Sequence, residues 1–180
     1  MPKIKFSLLS IIGGLTLLSS SAYAGVDAEV SYILNTLLFL IGGFLVMWMA
    51  AGFAMLESGL VTSKSVATIA AKNIGLYSIA GLMFWLVGYN LAYGIPEGGF
   101  IGSFLPWSDA SAVDTGYSDG SDWFFQMVFC ATTCSIVSGT LAERIKIWPF
   151  FLFCAILAGV IYPIEMGWQW GGGHLAAAGF

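Results

Sequence analysis

The sequence has few charged residues: Asp, Glu, Lys and Arg make up only 9% of it, while 58% of its residues are hydrophobic. Soluble domains carry roughly a quarter charged residues, so the composition excludes an ordinary soluble fold. Six Lys and Arg against ten Asp and Glu also lack the basic excess that is typical of nucleic-acid binding. We therefore expect an all-α integral membrane protein whose surroundings are the lipid bilayer, with no nucleic-acid partner.

Histidine and cysteine are scarce as well, with one His and three Cys in the chain. Cys130, Cys134 and Cys154 lie in apolar segments, where buried and unreactive thiols are expected. Cys130 and Cys134 share one helix face, but two thiols without further ligands make a poor metal site. The sequence shows no pairing of a nucleophile with a base. We accordingly predict no enzyme activity, no metal and no cofactor.

The first 24 residues are typical of a secretory signal peptide. Two lysines precede an apolar core at Leu8–Leu18, and Ala22-Tyr23-Ala24 forms a cleavage site. An uncleaved first helix is the alternative, which the short core and the small residues after it disfavour. Residues 25–180 would then form the membrane domain, with the mature N-terminus in the periplasm of a Gram-negative cell.

Four apolar stretches of the mature part are long enough to cross a bilayer as helices. We place them at about 30–56, 73–94, 123–142 and 148–166, and a further apolar tail begins at Leu175. The loop after the second stretch contains acidic residues and no basic one. The loops after the first and third stretches hold all four mature basic residues, Lys64, Lys72, Arg144 and Lys146. The positive-inside rule places these two loops in the cytoplasm, and so predicts a multi-pass inner-membrane protein.

The third stretch carries polar groups that a purely lipid-facing helix would not need. Gln126, Thr133 and Thr140 recur every seven residues and so lie near one helix face, flanked by Phe125 and Phe129. Such a face suits a helix that lines a cavity or packs against another helix. We interpret the stretch as one wall of a passage for something small, and predict that Phe125, Gln126 and Thr133 line it.

The motif Gly52-Phe-Ala-Met-Leu-Glu-Ser-Gly-Leu60 resembles the first-helix signature of the ammonium transporter (Amt/Mep/Rh) family, with Glu57-Ser-Gly59 in a form closer to bacterial Amt proteins. Phe125-Gln126, Phe129 and Leu141-Ala-Glu-Arg144 resemble the third helix and its turn, and Trp170-Gly-Gly-Gly173 resembles the loop after the fourth. The resemblance covers essentially all of residues 27–180.

The resemblance implies a homotrimer whose protomers each have eleven transmembrane helices, built as two inverted halves with the pore between them. This chain would supply the N-terminal four to five of those helices. We expect it to be an incomplete part, because it stops at Phe180 within an apolar stretch. The family's Asp-Phe-Ala-Gly motif and its pore histidines would follow, and His174 matches neither histidine position.

The resemblance further implies that ammonium and ammonia are the transported species. It assigns Trp170 to an external site that recruits the cation, and Phe129 to the outer gate of a dry passage. Beyond that gate, burial would favour loss of a proton from ammonium. A membrane-interface aromatic is the alternative for Trp170, and the three glycines after it, which allow backbone close to a cavity, favour the functional role.

Two other functions and two charged pairs complete the predictions. An ammonium sensor with the same membrane domain is the alternative function, and nothing in residues 1–180 separates it from a transporter. A stand-alone four-helix protein is a third, which the end at Phe180 disfavours.

We expect Glu57 and Lys72 to be charged anchors at the membrane interface, unpaired or paired with each other, and Glu143 and Arg144 to fix the turn.

Overall fold

A computed structural model describes residues 27–110 and 113–180, and the predicted signal peptide at 1–24 lies outside them. All regular structure in these residues is helical, which confirms the all-α fold. The α-helices are α1 Ala28–Leu60, α2 Val66–Met83, α3 Tyr89–Tyr93, α4 Asp119–Thr140, α5 Ile147–Ile156, α6 Tyr162–Gln169 and α7 His174–Ala177.

Two of the long helices contain a π-helical turn. Phe84–Gly88 joins α2 to α3, and Leu157–Ile161 joins α5 to α6. The two turns pack on each other, and Gly88 lets the backbones approach. A Cβ atom added to Gly88 would lie 3.1 Å from the Ala158 carbonyl oxygen. Such turns interrupt the regular hydrogen-bond ladder and are frequent near functional sites.

Three helical stretches of the described residues are long and apolar enough to cross a membrane: Ala28–Leu60, Ser63–Tyr93 and Ile147–Ala177. They contain the first, second and fourth predicted spans. The third predicted span is α4, which at 22 residues is long enough but too polar in composition to join this group. Its hydroxyl and amide side chains need not face lipid, because α4 is the helix that the others surround.

The core forms between α2, α4 and the helical stretch that runs from α5 through its π-helical turn to α6, while α1 packs along the side of α4. The buried cluster includes Leu76, Phe84, Val128, Cys130, Cys134, Phe150 and Cys154, so the three cysteines are free thiols within it. Gly43 of α1 lies against α4 so closely that an added Cβ would be 2.6 Å from the Phe124 ring. The rest of α1 is largely exposed, which is how an apolar helix at the edge of a membrane bundle is expected to look.

The connection between the first two spans is much shorter than predicted. α1 extends to Leu60 and the next helical turn begins at Ser63, so Glu57 and Lys72 lie inside helices rather than in a loop. Their side chains are 1% and 6% exposed, and Lys72 Nζ lies 3.0 Å from Glu57 Oε2. The pairing is confirmed, and the two side chains are buried between helices.

Ser138 of α4 explains how two charges can be buried here. Its hydroxyl donates to Glu57 Oε2 at 2.9 Å, and its carbonyl oxygen accepts from Lys72 Nζ at 3.0 Å. The Lys72 ammonium also lies 5.0 Å from the centre of the Phe150 ring. A buried ion pair is tolerated when further hydrogen bonds accompany it. With Lys72 buried, the positive-inside argument rests on Lys64, Arg144 and Lys146.

Glu143 fixes the turn between α4 and α5, as predicted. Its Oε1 atom accepts hydrogen bonds from the Thr62 backbone N–H at 3.1 Å, the Ser65 hydroxyl at 2.7 Å and the Thr62 hydroxyl. The two hydroxyls, and then the Thr62 N–H, lower the pKa of the Glu143 carboxyl below its ordinary value. Arg144 donates to the Thr140 carbonyl at 3.4 Å, which closes the end of α4.

Candidate functional site

An aromatic cavity of about 480 Å³ lies between α1, α3, α4 and α6, at the end of the bundle where α4 begins. We call it the outer cavity. Seven of its ten lining residues are aromatic and one is charged. They are Phe39, Tyr93, Tyr117, Asp122, Phe125, Gln126, Phe129, Tyr162, Met166 and Trp170.

Helix α4 supplies three of the predicted residues to this cavity. Phe125 and Phe129 are one turn apart, and their rings meet edge to face with centroids 5.1 Å apart. Phe39 of α1 packs on Phe125 in the same way at 5.4 Å. An added Cβ at Gly42 would lie 2.9 Å from the Phe125 ring, so a glycine allows α1 to come this close. Gln126 lies between the two rings in sequence and lines the same space.

Trp170 lies at the rim of the outer cavity, where α6 ends, and 74% of its side chain is exposed. The structure therefore brings Trp170 and Phe129, 41 positions apart in sequence, to one cavity. The first of the three glycines after Trp170 has another purpose than the one predicted. An added Cβ at Gly171 would overlap the Ala92 carbonyl oxygen, so this glycine serves close packing of two backbones and not approach to the cavity.

Thr133 is not among the residues that line the outer cavity. Its hydroxyl donates to the Phe129 carbonyl at 3.2 Å, one turn back along α4. The Thr140 hydroxyl likewise donates within its own helix, to Val137 at 2.8 Å. Threonine can satisfy its hydroxyl in this way without a cavity, so the seven-residue polar stripe was weaker support for a passage than the sequence indicated. That Thr133 lines a pore stays a prediction.

Asp122 belongs to the cavity, although the predicted spans at 73–94 and 123–142 leave it in the external loop between them. It lies in the first turn of α4 and is 4% exposed. Its two carboxylate oxygens accept hydrogen bonds from the Tyr89 hydroxyl at 2.7 Å and from Gln126 Nε2 at 3.1 Å. A negative charge is favoured at a helix N-terminus. The spacing of Asp122 and Gln126, four residues apart, was the signal that could have predicted their contact.

These residues create an environment suited to a small cation. Aromatic faces attract cations, by about 0.5–2 kcal/mol each depending on desolvation. Asp122 is the one charged residue among those that line the cavity, and its charge is negative. An anion would be repelled by the ring faces and by the Asp122 carboxylate. Within residues 27–110 and 113–180, no group of three or more His, Cys, Asp or Glu could hold a metal ion.

His174 lies away from the outer cavity. Its ring stacks on Phe100 at 4.3 Å and meets Trp168 edge to face at 4.9 Å. Trp168 also donates from Nε1 to the Phe100 carbonyl at 2.9 Å. These contacts dock the long loop after α3 onto the end of α6, which is a structural role for the histidine.

Comparison with known proteins decides the family. The family model described as the Ammonium Transporter Family matches residues 37–180. The chain belongs to the Ammonium Transporter Family. It is 42% identical to ammonium transporter Amt2 of Archaeoglobus fulgidus over 146 residues, which are 78% of this chain and 30% of that protein. An ammonium transporter of Aquifex aeolicus is 33% identical over 171 residues, 92% of this chain and 40% of that protein.

A solved structure supports the same assignment. The structure described as a Sensor Amt Protein matches this member of the family with a TM-score of 0.71 at 31% identity, over 79% of this chain and 35% of the other. The chain thus spans about a third of the length of the curated relatives it matches. The activity, substrates and partners of a whole transporter are therefore matters for proposal.

Proposed function

We propose that this chain is part of a channel-type ammonium transporter and that the outer cavity is its external recruitment site. The observation that carries the proposal is the lining of that cavity, seven aromatic residues around one buried carboxylate. Ammonium is a small monovalent cation, and such a lining offers it attraction from ring faces and from Asp122 without a fixed, fully dehydrating cage.

In this mechanism Trp170 and Phe129 act in sequence. Trp170, at the exposed rim, meets the hydrated cation first, and Phe129 separates the outer cavity from the dry interior. Desolvation beyond Phe129 disfavours the charged form and lowers the pKa of ammonium, so that neutral ammonia crosses the hydrophobic passage. Potassium cannot lose its charge, and the desolvation cost stops it at the same hydrophobic constriction.

The proposal extends to the setting of the chain. Residues 1–24 would be a signal peptide and residues 25–180 the N-terminal part of a transporter domain, in a homotrimer in the inner membrane. Lys64, Arg144 and Lys146 support a cytoplasmic location for the turns after α1 and α4, because all three lie at the same end of the bundle. The outer cavity, at the opposite end, would then face the periplasm.

Replacement of Trp170 or Phe129 by alanine in the full-length protein tests these roles. Loss of one cation–π contact should raise the ammonium concentration for half-maximal current in proteoliposomes by about 2- to 30-fold for Trp170→Ala. Trp148→Ala is the matched control, since Trp148 is similarly exposed at 78% but lies at the start of α5. A wild-type concentration dependence in both cavity variants would contradict the assignment.

An ammonium sensor is the second candidate, favoured by the match to the Sensor Amt Protein structure. A sensor needs to bind ammonium in the outer cavity but has no need of a conducting passage. Calorimetric binding of ammonium to the purified full-length protein, without saturable flux in liposomes, would support the sensor. Saturable flux that is lost with Phe129→Ala would support the transporter.

A further inference from the structure

Aromatic rings alone can attract a cation, so the outer cavity does not need the buried carboxylate of Asp122 for that purpose. Asp122 lines the outer cavity and is 4% exposed, and burial of a lone carboxylate is costly. The one ion pair found within residues 27–110 and 113–180 joins Glu57 to Lys72, elsewhere in the bundle. Asp122 is instead held by two neutral donors, the Tyr89 hydroxyl and the Gln126 amide, one to each carboxylate oxygen.

The hydrogen bond to Asp122 fixes the orientation of the Gln126 amide. An ionised carboxylate can only accept hydrogen bonds, so Gln126 must present its NH₂ group to Asp122. Nε2 does lie 3.1 Å from Oδ1 of Asp122. The carbonyl end of the amide is then turned away from Asp122, and Gln126 itself lines the cavity. Among the described residues, no side chain or backbone donor is bound to Gln126 Oε1.

A fixed carbonyl oxygen adds something that ring faces lack. The rings attract any cation of suitable size, whether or not it has N–H groups. A carbonyl oxygen accepts one N–H from ammonium or methylammonium, but makes no hydrogen bond with a quaternary ammonium ion. A freely rotating amide would present its NH₂ group for part of the time, which repels a cation. The orientation of Gln126 therefore influences affinity and selectivity together.

We propose that Asp122 is a positioning residue for the outer cavity: through Gln126 Nε2 it holds the amide with its carbonyl oxygen available to an N–H-bearing cation. The inference rests on the proposed function, because it concerns the cation that the same cavity would take. It adds a residue that never needs to touch the cation, and it assigns the selectivity for N–H donors to the amide oxygen of Gln126.

The test uses the full-length protein in proteoliposomes and compares Asp122→Asn with Asp119→Asn. Both substitutions remove one carboxylate from the first turn of α4, but only Asp122 bonds the Gln126 amide. Asparagine can bond either end of the amide, so its orientation is no longer fixed. We expect Asp122→Asn to raise the half-saturating ammonium concentration about tenfold with a maximal rate within about twofold of wild type. Asp119→Asn should leave both quantities within about twofold of wild type.

A second comparison separates positioning from a general effect of charge. If Asp122 acts through Gln126, then Asp122→Asn should raise the half-saturating ammonium concentration less in a protein that already carries Gln126→Leu than in wild type. Asp122→Asn also removes a negative charge that attracts any cation, so inhibition by tetramethylammonium should weaken too, but by at least about threefold less than the affinity for ammonium, because only ammonium donates an N–H to the carbonyl oxygen. Equal losses for the two ions would overturn the inference. Should Asp122→Asn fail to fold, Gln126→Leu carries the test, and an unchanged half-saturating concentration in it overturns the inference.

The outcomes distinguish the two proposals. Equal curves for Asp122→Asn and Asp119→Asn, or a tenfold loss from Asp122→Asn that persists in the Gln126→Leu protein, would overturn the positioning role while transport by the unsubstituted protein stands. If the unsubstituted protein gives no ammonium-dependent current, the proposed function fails and this inference fails with it.

Discussion

Replacement of Lys72 by methionine should destabilise the protein more than any change on its surface. Methionine keeps most of the volume of the lysine side chain but removes the ammonium group that lies 3.0 Å from Glu57 Oε2. The Glu57 carboxylate then remains buried, with one hydrogen bond from Ser138 and an Oε1 atom that already lacks a partner. Loss of one member of a buried ion pair costs about 3–5 kcal/mol in free energy of unfolding, and we expect that range for Lys72→Met and for Glu57→Met.

The double variant Glu57→Met/Lys72→Met makes the test specific. With both charges replaced by apolar groups, no charge is left buried, and Ser138 can bond a carbonyl of its own helix. The double variant should therefore be more stable than either single variant, with a coupling energy of about 2 kcal/mol or more. Lys64→Met is the control, since Lys64 is exposed in the neighbouring turn and its replacement should change stability by less than about 0.5 kcal/mol.

Unfolding in mixed detergent micelles, followed by circular dichroism, measures these differences. Single variants that each cost less than about 1 kcal/mol would refute the argument, because they would show that the pair is not buried as the structure has it. A cost of the double variant equal to the sum of the two single costs would also refute the argument. It would mean that the two groups do not interact, although the structure places them 3.0 Å apart.

Three further predictions concern packing, pH and transport. Gly43→Val should cost about 1–3 kcal/mol of stability in the same assay, because a Cβ there lies 2.6 Å from the Phe124 ring. Gly52→Ala, where an added Cβ meets nothing within 4 Å, should stabilise the helix slightly instead. The lowered pKa of Glu143 means that its stabilising contribution is present above pH 4.5 and is lost as the pH falls through the folded-state pKa. Wild type should consequently lose more stability on acidification than Glu143→Ala, and parallel pH curves would argue against the hydrogen bonds to Thr62. Finally, the 180-residue chain alone should show no saturable ammonium flux in liposomes, since it spans about a third of the length of its relatives; measured flux would contradict this.

The apolar runs predicted the helices well but placed their ends poorly. The helices at Ala28–Leu60 and Ile147–Ala177 follow directly from long uncharged stretches, which have no other stable form in a bilayer. The loop predicted between the first two spans was too long, because a charge in the sequence was taken to end a helix. Whether a charge lies at a surface depends on a partner, and here the partners are on other helices.

Some residues of the candidate site were predicted from the sequence and others were found only in the structure. The resemblance to ammonium transporters predicted roles for Phe129 and Trp170; both residues line one cavity, and their roles stay a prediction. The polar stripe on α4 predicted that Thr133 lines the passage. The sequence could not show that its hydroxyl donates to the Phe129 carbonyl of the same helix. Asp122 was assigned to a loop because nothing in its immediate sequence shows that Tyr89, 33 residues earlier, lies beside it.

The amino-acid sequence by itself determined the class of this protein: membrane helices, and the family to which its motifs belong, because apolar length and local motifs are read along the chain. Only the tertiary structure decided which polar groups are buried and what they face. Ser138 bonds a glutamate 81 residues away, and Asp122 holds both a distant tyrosine and the amide one turn ahead. The free energy of a buried charge depends on such partners, and helix packing alone brings them together.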